Sequence, residues 1–198
     1  MITMLKALSI NGITQPNLIL PDEFKKVASD TRTRNDEPVL VERYQRDTDV
    51  QPNHEHAVLV WGEDHRLLSF NNFSLADDSG KLPSKRQAAK IALATMTALD
   101  DQYASELSYM RTDLLTRAYL DDNDQLVTIP IQWVKFAHPN GSYNWVSVGA
   151  GGQVIEMERE SYWDYFLSRR STEEWNYDNW VLAYEGKGPQ PAAPEALA

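Results

Sequence analysis

The sequence predicts an α+β protein: helices packed on antiparallel β-sheet, in two tandem helix-plus-meander units. Three observations carry this. Leu126 to Glu160 holds three β-rich apolar runs separated by two turn signals. Residues 83–103 repeat small and apolar side chains at helical spacing. The segment Ala57 to Gly62 (AVLVWG) echoes Trp145 to Gly149 (WVSVG), and each lies downstream of a helix candidate.

In chain order, Leu5, Leu8, Ile10 and Ile13 suggest a short strand or arm before Pro16. Pro21-Asp22-Glu23 resembles a helix start, since acidic side chains suit the positive end of the helix dipole. Phe24, Val27 and Ala28 would be the buried stripe of a helix over 21–33. Strands are expected at 38–46, 56–61 and 66–73, followed by a loop with its tip at Asp77-Asp78-Ser79-Gly80. The next helix opens at Pro83-Ser84. A serine N-cap satisfies a free backbone N–H, and Gln87 three residues on completes a capping box. Ala88, Ile91, Ala92, Thr95, Met96 and Leu99 give it a narrow face suited to packing on a sheet.

A strand is expected over Ser108 to Leu120, closed by the turn cluster Asp121-Asp122-Asn123-Asp124. In the meander, Asn140-Gly141 is a hairpin signal because type I′ turns need positive φ at both central residues. Gly149, Gly151 and Gly152 permit the second reversal. A short helix is expected over 160–167, and an irregular stretch or strand over 176–185. Residues 186–198, with Pro189, Pro191 and Pro194, read as a disordered tail. The units divide as 1–75 and 76–185, the second closed by an aromatic C-terminal lid.

Composition narrows the function. Of 198 residues, 42% are hydrophobic and 24% charged, so the chain can build a core. A net charge of −10 argues against nucleic acid, whose binding rests on cations neutralising phosphates. There is no cysteine, which excludes disulfides, thiolate metal sites and a cysteine nucleophile. No run approaches the roughly 20 apolar residues of a membrane span. The first residues are too short and polar a run for a signal peptide. A cytoplasmic location is therefore expected, or an envelope-associated one if a leader has been removed.

Candidate chemistry is sparse. His54 and His56 share a strand face, with His65, Glu63 and Asp64 beyond the next turn, but the hairpin separates them. They read as solvated histidines, and no metal is expected. Asp121, Asp122 and Asp124 resemble half of a calcium loop without its glycine or closing glutamate. Glu156, Glu158 and Glu160 alternate along one strand and read as the solvent face of an edge. There is no nucleophile elbow and no phosphate-binding glycine loop. No catalytic residue and no cofactor are assigned. Tyr162, Trp163, Tyr165, Phe166, Trp175, Tyr177, Trp180 and Tyr184 crowd one stretch. They form either a lid closing the sheet or a partner or glycan surface led by Trp163, Trp175, Tyr177 and Trp180.

Pro83-Ser84 leading Ala88-Ala89 and Ala92, then Asn144-Trp145-Val146-Ser147-Val148 and Gly152-Gln153-Val154-Ile155, resembles a PepSY domain over Leu82 to Glu158. Gly149-Ala150-Gly151-Gly152 stands where that family carries an acidic turn. The resemblance implies a tandem, β-lactamase-inhibitor-like architecture and a non-enzymatic binding or regulatory module. Its partner would be an unknown protein or peptide. The alternatives are an assembly protein forming a homodimer or larger homo-oligomer through a sheet edge, and a hydrolase.

Overall fold

The computed structural model describes residues 5–74 and 80–198. Most of the expected loop tip, Asp77 to Ser79, and the boundary drawn at 75/76 lie outside them. The described chain runs β1 (Leu5–Ile10), β2 (Ile13–Pro21), β3 (Lys25–Arg34), β4 (Glu37–Gln45), β5 (His56–Trp61) and β6 (Leu67–Phe73). It continues through α1 (Lys85–Leu99), α2 (Asp101–Ser105), β7 (Ser108–Leu120), β8 (Leu126–Ala137), β9 (Tyr143–Val148) and β10 (Val154–Ser161). It ends with β11 (Trp163–Asp164), β12 (Arg169–Arg170) and α3 (Asp178–Tyr184).

The predicted fold class is corrected. Strand takes 48% of the described residues and helix 16%, so antiparallel sheet dominates and helices are not its main packing feature. One eight-stranded sheet, in the order β3-β4-β5-β6-β10-β9-β8-β7, runs through both halves of the chain. It consists of two four-stranded meanders joined where β6 pairs with β10. The echoed segments fall on β5 and β9, the third strand of each meander. Among the described residues no helix precedes the first meander. The expected helix at 21–33 is β3, which hairpins onto β4 through Asn35 and Asp36 at φ 51° and 62°. That pair of positive φ values is the type I′ geometry that extends a strand pair and that Asn and Asp tolerate.

The other meander follows its sequence signals more closely. Ser84 caps α1, and Gln87 returns a bond to the Ser84 N–H at 3.0 Å. Ala88, Ala92, Thr95 and Met96 are the helix's buried residues, and α1 lies over β9 and β8. Truncation of the cap, Ser84→Ala, is expected to lower stability by about 1 kcal/mol in urea denaturation. The β8–β9 hairpin forms where Asn140-Gly141 places it, but only Gly141 has positive φ, at 87°. Pro139, with φ fixed near −65°, suits a type I turn followed by a left-handed glycine.

The sheet is covered differently on its two faces. The β1–β2 hairpin and α1 cover one, through Leu18, Leu20, Ala88, Met96, Phe70 and Val146. The C-terminal segment covers part of the other, through Trp175, Trp180 and Ala196 on Val39, Val58, Val60 and Leu68. The sheet curls enough that Leu120, ending β7, exchanges backbone hydrogen bonds with Asn53 and Glu55 before β5, at 2.7 and 3.0 Å. Phe73 of β6 and Tyr119 of β7 meet in one buried cluster with Ile129, Ile131 and Ile155, on the face that the C-terminal segment covers, so that second face is the concave one.

Three further expectations are revised. Residues 160–167 are not helical: Glu160, at φ 55°, lies within β10 where its register shifts, and β11 and β12 form a small hairpin. Residues 178–184 are helical instead. The segment 186–198, expected to be a disordered tail, is held against the body. Arg170 N–H donates to Pro194 O at 2.8 Å, Ala196 N–H donates to Glu174 at 2.7 Å, and Ala196 is buried.

Candidate functional site

The site is written in the sheet register. Alternation along each strand sends every second side chain to the concave face. One cross-strand row there is Arg111, Lys135, Trp145, Glu158, Ser69 and Val60, in the order β7-β8-β9-β10-β6-β5. The next is Asp113, Trp133, Ser147, Glu156, Asn71 and Val58. The first row starts from two cations and an indole and the second from an aspartate and an indole, and each runs through a buried glutamate to a valine under the C-terminal segment.

Glu156 and Glu158 are therefore not the solvent face of an edge strand. β10 is central, and both carboxylates are fully buried. Burial of a charge is tolerated only with close partners. Glu156 accepts from Arg117 Nε at 2.6 Å, Tyr177 OH at 3.0 Å and the Ser147 hydroxyl. Glu158 accepts from Arg34 Nη2 at 2.9 Å, Arg170 Nη2 at 2.5 Å and Asn176 Nδ2 at 2.9 Å. Burial and the neighbouring Glu156 push the Tyr177 hydroxyl well above its usual pKa, so it stays a neutral donor.

Beside this network, between β7–β8 and the C-terminal segment, opens a cleft of about 550 Å³. Trp133, Tyr143, Trp145 and Trp163 line it, with Arg111, Arg117, Lys135 and Arg170 among them. Lys135 is half-buried. Its ammonium lies 3.8 Å from the Tyr143 ring centroid and 5.7 Å from that of Trp133. It has no ion pair or hydrogen bond among the described residues. Burial, then the nearby Arg111, lower its pKa.

The opposite wall holds Glu174 and Glu195. Burial, reinforced by Glu195, raises the Glu174 carboxyl from 4.5 to about 8, against the pull of Arg170. Folded Glu174 therefore holds its proton where the unfolded chain has released it. Its contribution to stability is complete below pH 4.5 and is lost as pH rises through about 8. Stability measured by urea denaturation is expected to fall over that interval, and Glu174→Gln is expected to flatten the fall.

Of the four residues proposed for a partner surface, Trp163, Tyr177 and Trp180 line the cleft. Trp175 does not, and both Trp175 and Trp180 are buried against the sheet. The histidines do not converge. His54 bonds Asp124 at 2.8 Å at the surface, and buried His56 packs edge-on against Phe73. No cluster of three or more His, Cys, Asp or Glu able to hold a metal occurs among the described residues. None of their helices is long and apolar enough to cross a membrane.

Sequence reasoning missed Arg34, Arg117, Lys135, Arg170 and Glu174, and it read the buried Glu156 and Glu158 as solvated. The available signal was Val154-Ile155-Glu156-Met157-Glu158, whose apolar residues on both sides of the glutamates suit a central strand better than an edge. No protein-family model matches the chain, and no curated protein sequence matches it.

Proposed function

We propose that this chain is a non-enzymatic binding module, PepSY-like in the order of α1 through β10, that receives its ligand in the concave cleft. The observation that carries the reading is the cleft's composition: indole and phenol rings around a half-buried lysine that makes no ion pair among the described residues. Its volume lies within the range of small-molecule sites, roughly 300–1,000 Å³. The buried carboxylates are engaged by arginines, and Glu174 is engaged by the tail, so the reading assigns none of them a proton-transfer role. A thermal-shift screen of small metabolites against the wild type and Trp133→Ala tests it. Ligands that raise Tm only in the wild type support binding in the cleft. Equal shifts in both proteins, or none, overturn it.

One observation favours a second reading, assembly through a sheet edge. β7 is the last strand of the sheet, and its Leu114 is 62% exposed. Long apolar edges pair with other chains unless guarded. On this reading, sedimentation velocity gives a concentration-dependent dimer that Leu114→Lys dissolves. A monomer at all concentrations removes it.

A further inference from the structure

The cleft's chemistry selects among ligands, and this step rests on the binding reading above. Its cations are not equally free. Arg117 is bound to Glu156 and Arg170 to Glu158, while Arg111 pairs with Asp113 at 2.7 Å. Lys135 alone among the four has neither an ion pair nor a hydrogen bond among the described residues, and its ammonium lies against ring faces. In the sheet register, moreover, Lys135 sits directly opposite Arg111. Like charges opposed across a strand pair destabilise it. Here one of the two makes no ion pair among the described residues, and the carboxylate that pulls on it, Asp113, is already bound to Arg111.

Hydrogen-bonding capacity points the same way. Three lining residues each carry a buried N–H without a hydrogen bond: Trp145 Nε1, Trp180 Nε1 and Arg170 Nε, the last with only the Glu174 carboxyl oxygen near it, at 3.8 Å. A buried donor without an acceptor costs stability. His56 Nδ1 bonds the His54 carbonyl at 2.6 Å, which leaves its unpartnered Nε2 as a lone acceptor against three donors. The deficit is of acceptors, and an oxyanion supplies several.

The walls supply the rest of the specification. Trp133 and Trp145 lie side by side with ring centroids 5.7 Å apart, and Tyr143 lies beneath the Lys135 ammonium. Trp145 neighbours Lys135 in the cross-strand register. Flat rings stack or pack edge-on against such surfaces with a gain beyond their area. A polyanion is a poor fit, because the chain carries a net charge of −10 and would repel it at long range.

We infer that the cleft binds a small aromatic anion, a flat ring carrying one oxyanionic group, with the ring against Trp133 and Trp145 and the anion at Lys135.

Calorimetric titration of the whole chain with phenylacetate, phenyl phosphate, phenylacetamide and cyclohexylacetate tests it. Phenylacetate or phenyl phosphate is expected to bind about tenfold or more tightly than the neutral amide, since a charge-assisted bond is lost. Whichever acid binds more tightly identifies the oxyanion as carboxylate or phosphate. Cyclohexylacetate is expected to bind more weakly than phenylacetate. Lys135→Met and Lys135→Gln, checked for unchanged circular dichroism, should each weaken the acid and leave the amide unaffected. If the amide or the cyclohexyl acid binds as well as phenylacetate, or if both Lys135 variants bind the acid normally, the inference fails while a binding cleft stands. If no probe binds and the metabolite screen also finds nothing, both fail.

Discussion

Glu158→Ala is expected to lower stability by about 3–5 kcal/mol, read as a drop in the urea midpoint at unchanged slope. Glu158 sits in the middle of the sheet, opposite Ser69 on β6 and Trp145 on β9. It is the shared counter-charge of two guanidiniums, Arg34 and Arg170, both buried. Truncation leaves two like charges facing one another out of water. It also removes the acceptor of Asn176, whose amide otherwise ties the C-terminal segment to Asn71 and Glu158. Glu158→Gln keeps the shape but aims an amide of no net charge at two cations, so it too is expected to be costly. The surface pair Arg111–Asp113 provides the contrast. Both partners are well exposed, and breaking it should change stability by less than about 1 kcal/mol. Equal effects at the two places would mean that the carboxylate row is hydrated and the sheet is not closed over it.

Some of this architecture was legible in the sequence, and the reason is local. The Ser84–Gln87 box, the alanine stripe of α1 and the Asn140-Gly141 reversal are specified by residues within a few positions of one another. The same proximity misled at 21–33, where Phe24, Val27 and Ala28 fit a helical stripe. The strand is settled by the Asn35-Asp36 turn and by pairing with β4, the next segment of chain, which a helical stripe read on its own does not weigh. The buried network is non-local throughout. Arg34 lies 124 residues from Glu158, and nothing near either residue announces the other. Alternating Glu, Met, Glu, Arg, Glu has the pattern of a half-exposed strand. Only the joining of two meanders at β6 and β10 turns that face inward. Lys135 was illegible for the converse reason: a lysine between apolar neighbours in a strand looks like a solvent-facing position until Tyr143, Trp133 and the C-terminal segment are laid around it.

Trp175→Ala and Trp180→Ala are each expected to destabilise the protein by about 3–5 kcal/mol, as large-to-small changes in a packed core. The two rings meet edge to face at 4.8 Å, and Tyr184 stacks on Trp180 at 5.5 Å. Trp175 Nε1 donates to Thr33 O at 2.7 Å, which fastens the segment to β3 at the rim of the sheet. Beneath them lie Val39, Val58, Val60 and Leu68, the aliphatic ends of the cross-strand rows. Loss of either ring opens a cavity over those residues and loosens Ala196, whose N–H holds Glu174. The fall in stability between pH 4.5 and 8 should then shrink in both variants, since the environment that raises the Glu174 carboxyl includes the tail carrying Glu195. Trp163→Ala and Phe166→Ser separate a lid from a contact surface. Phe166 is fully exposed, and its replacement should leave stability within about 0.5 kcal/mol. Trp163 is half-buried at the cleft, so its loss should weaken ligand binding more than folding. If Trp175→Ala instead folds with wild-type stability and loses capture of a protein partner, the indoles are a docking surface, and the valine face beneath them has some other cover.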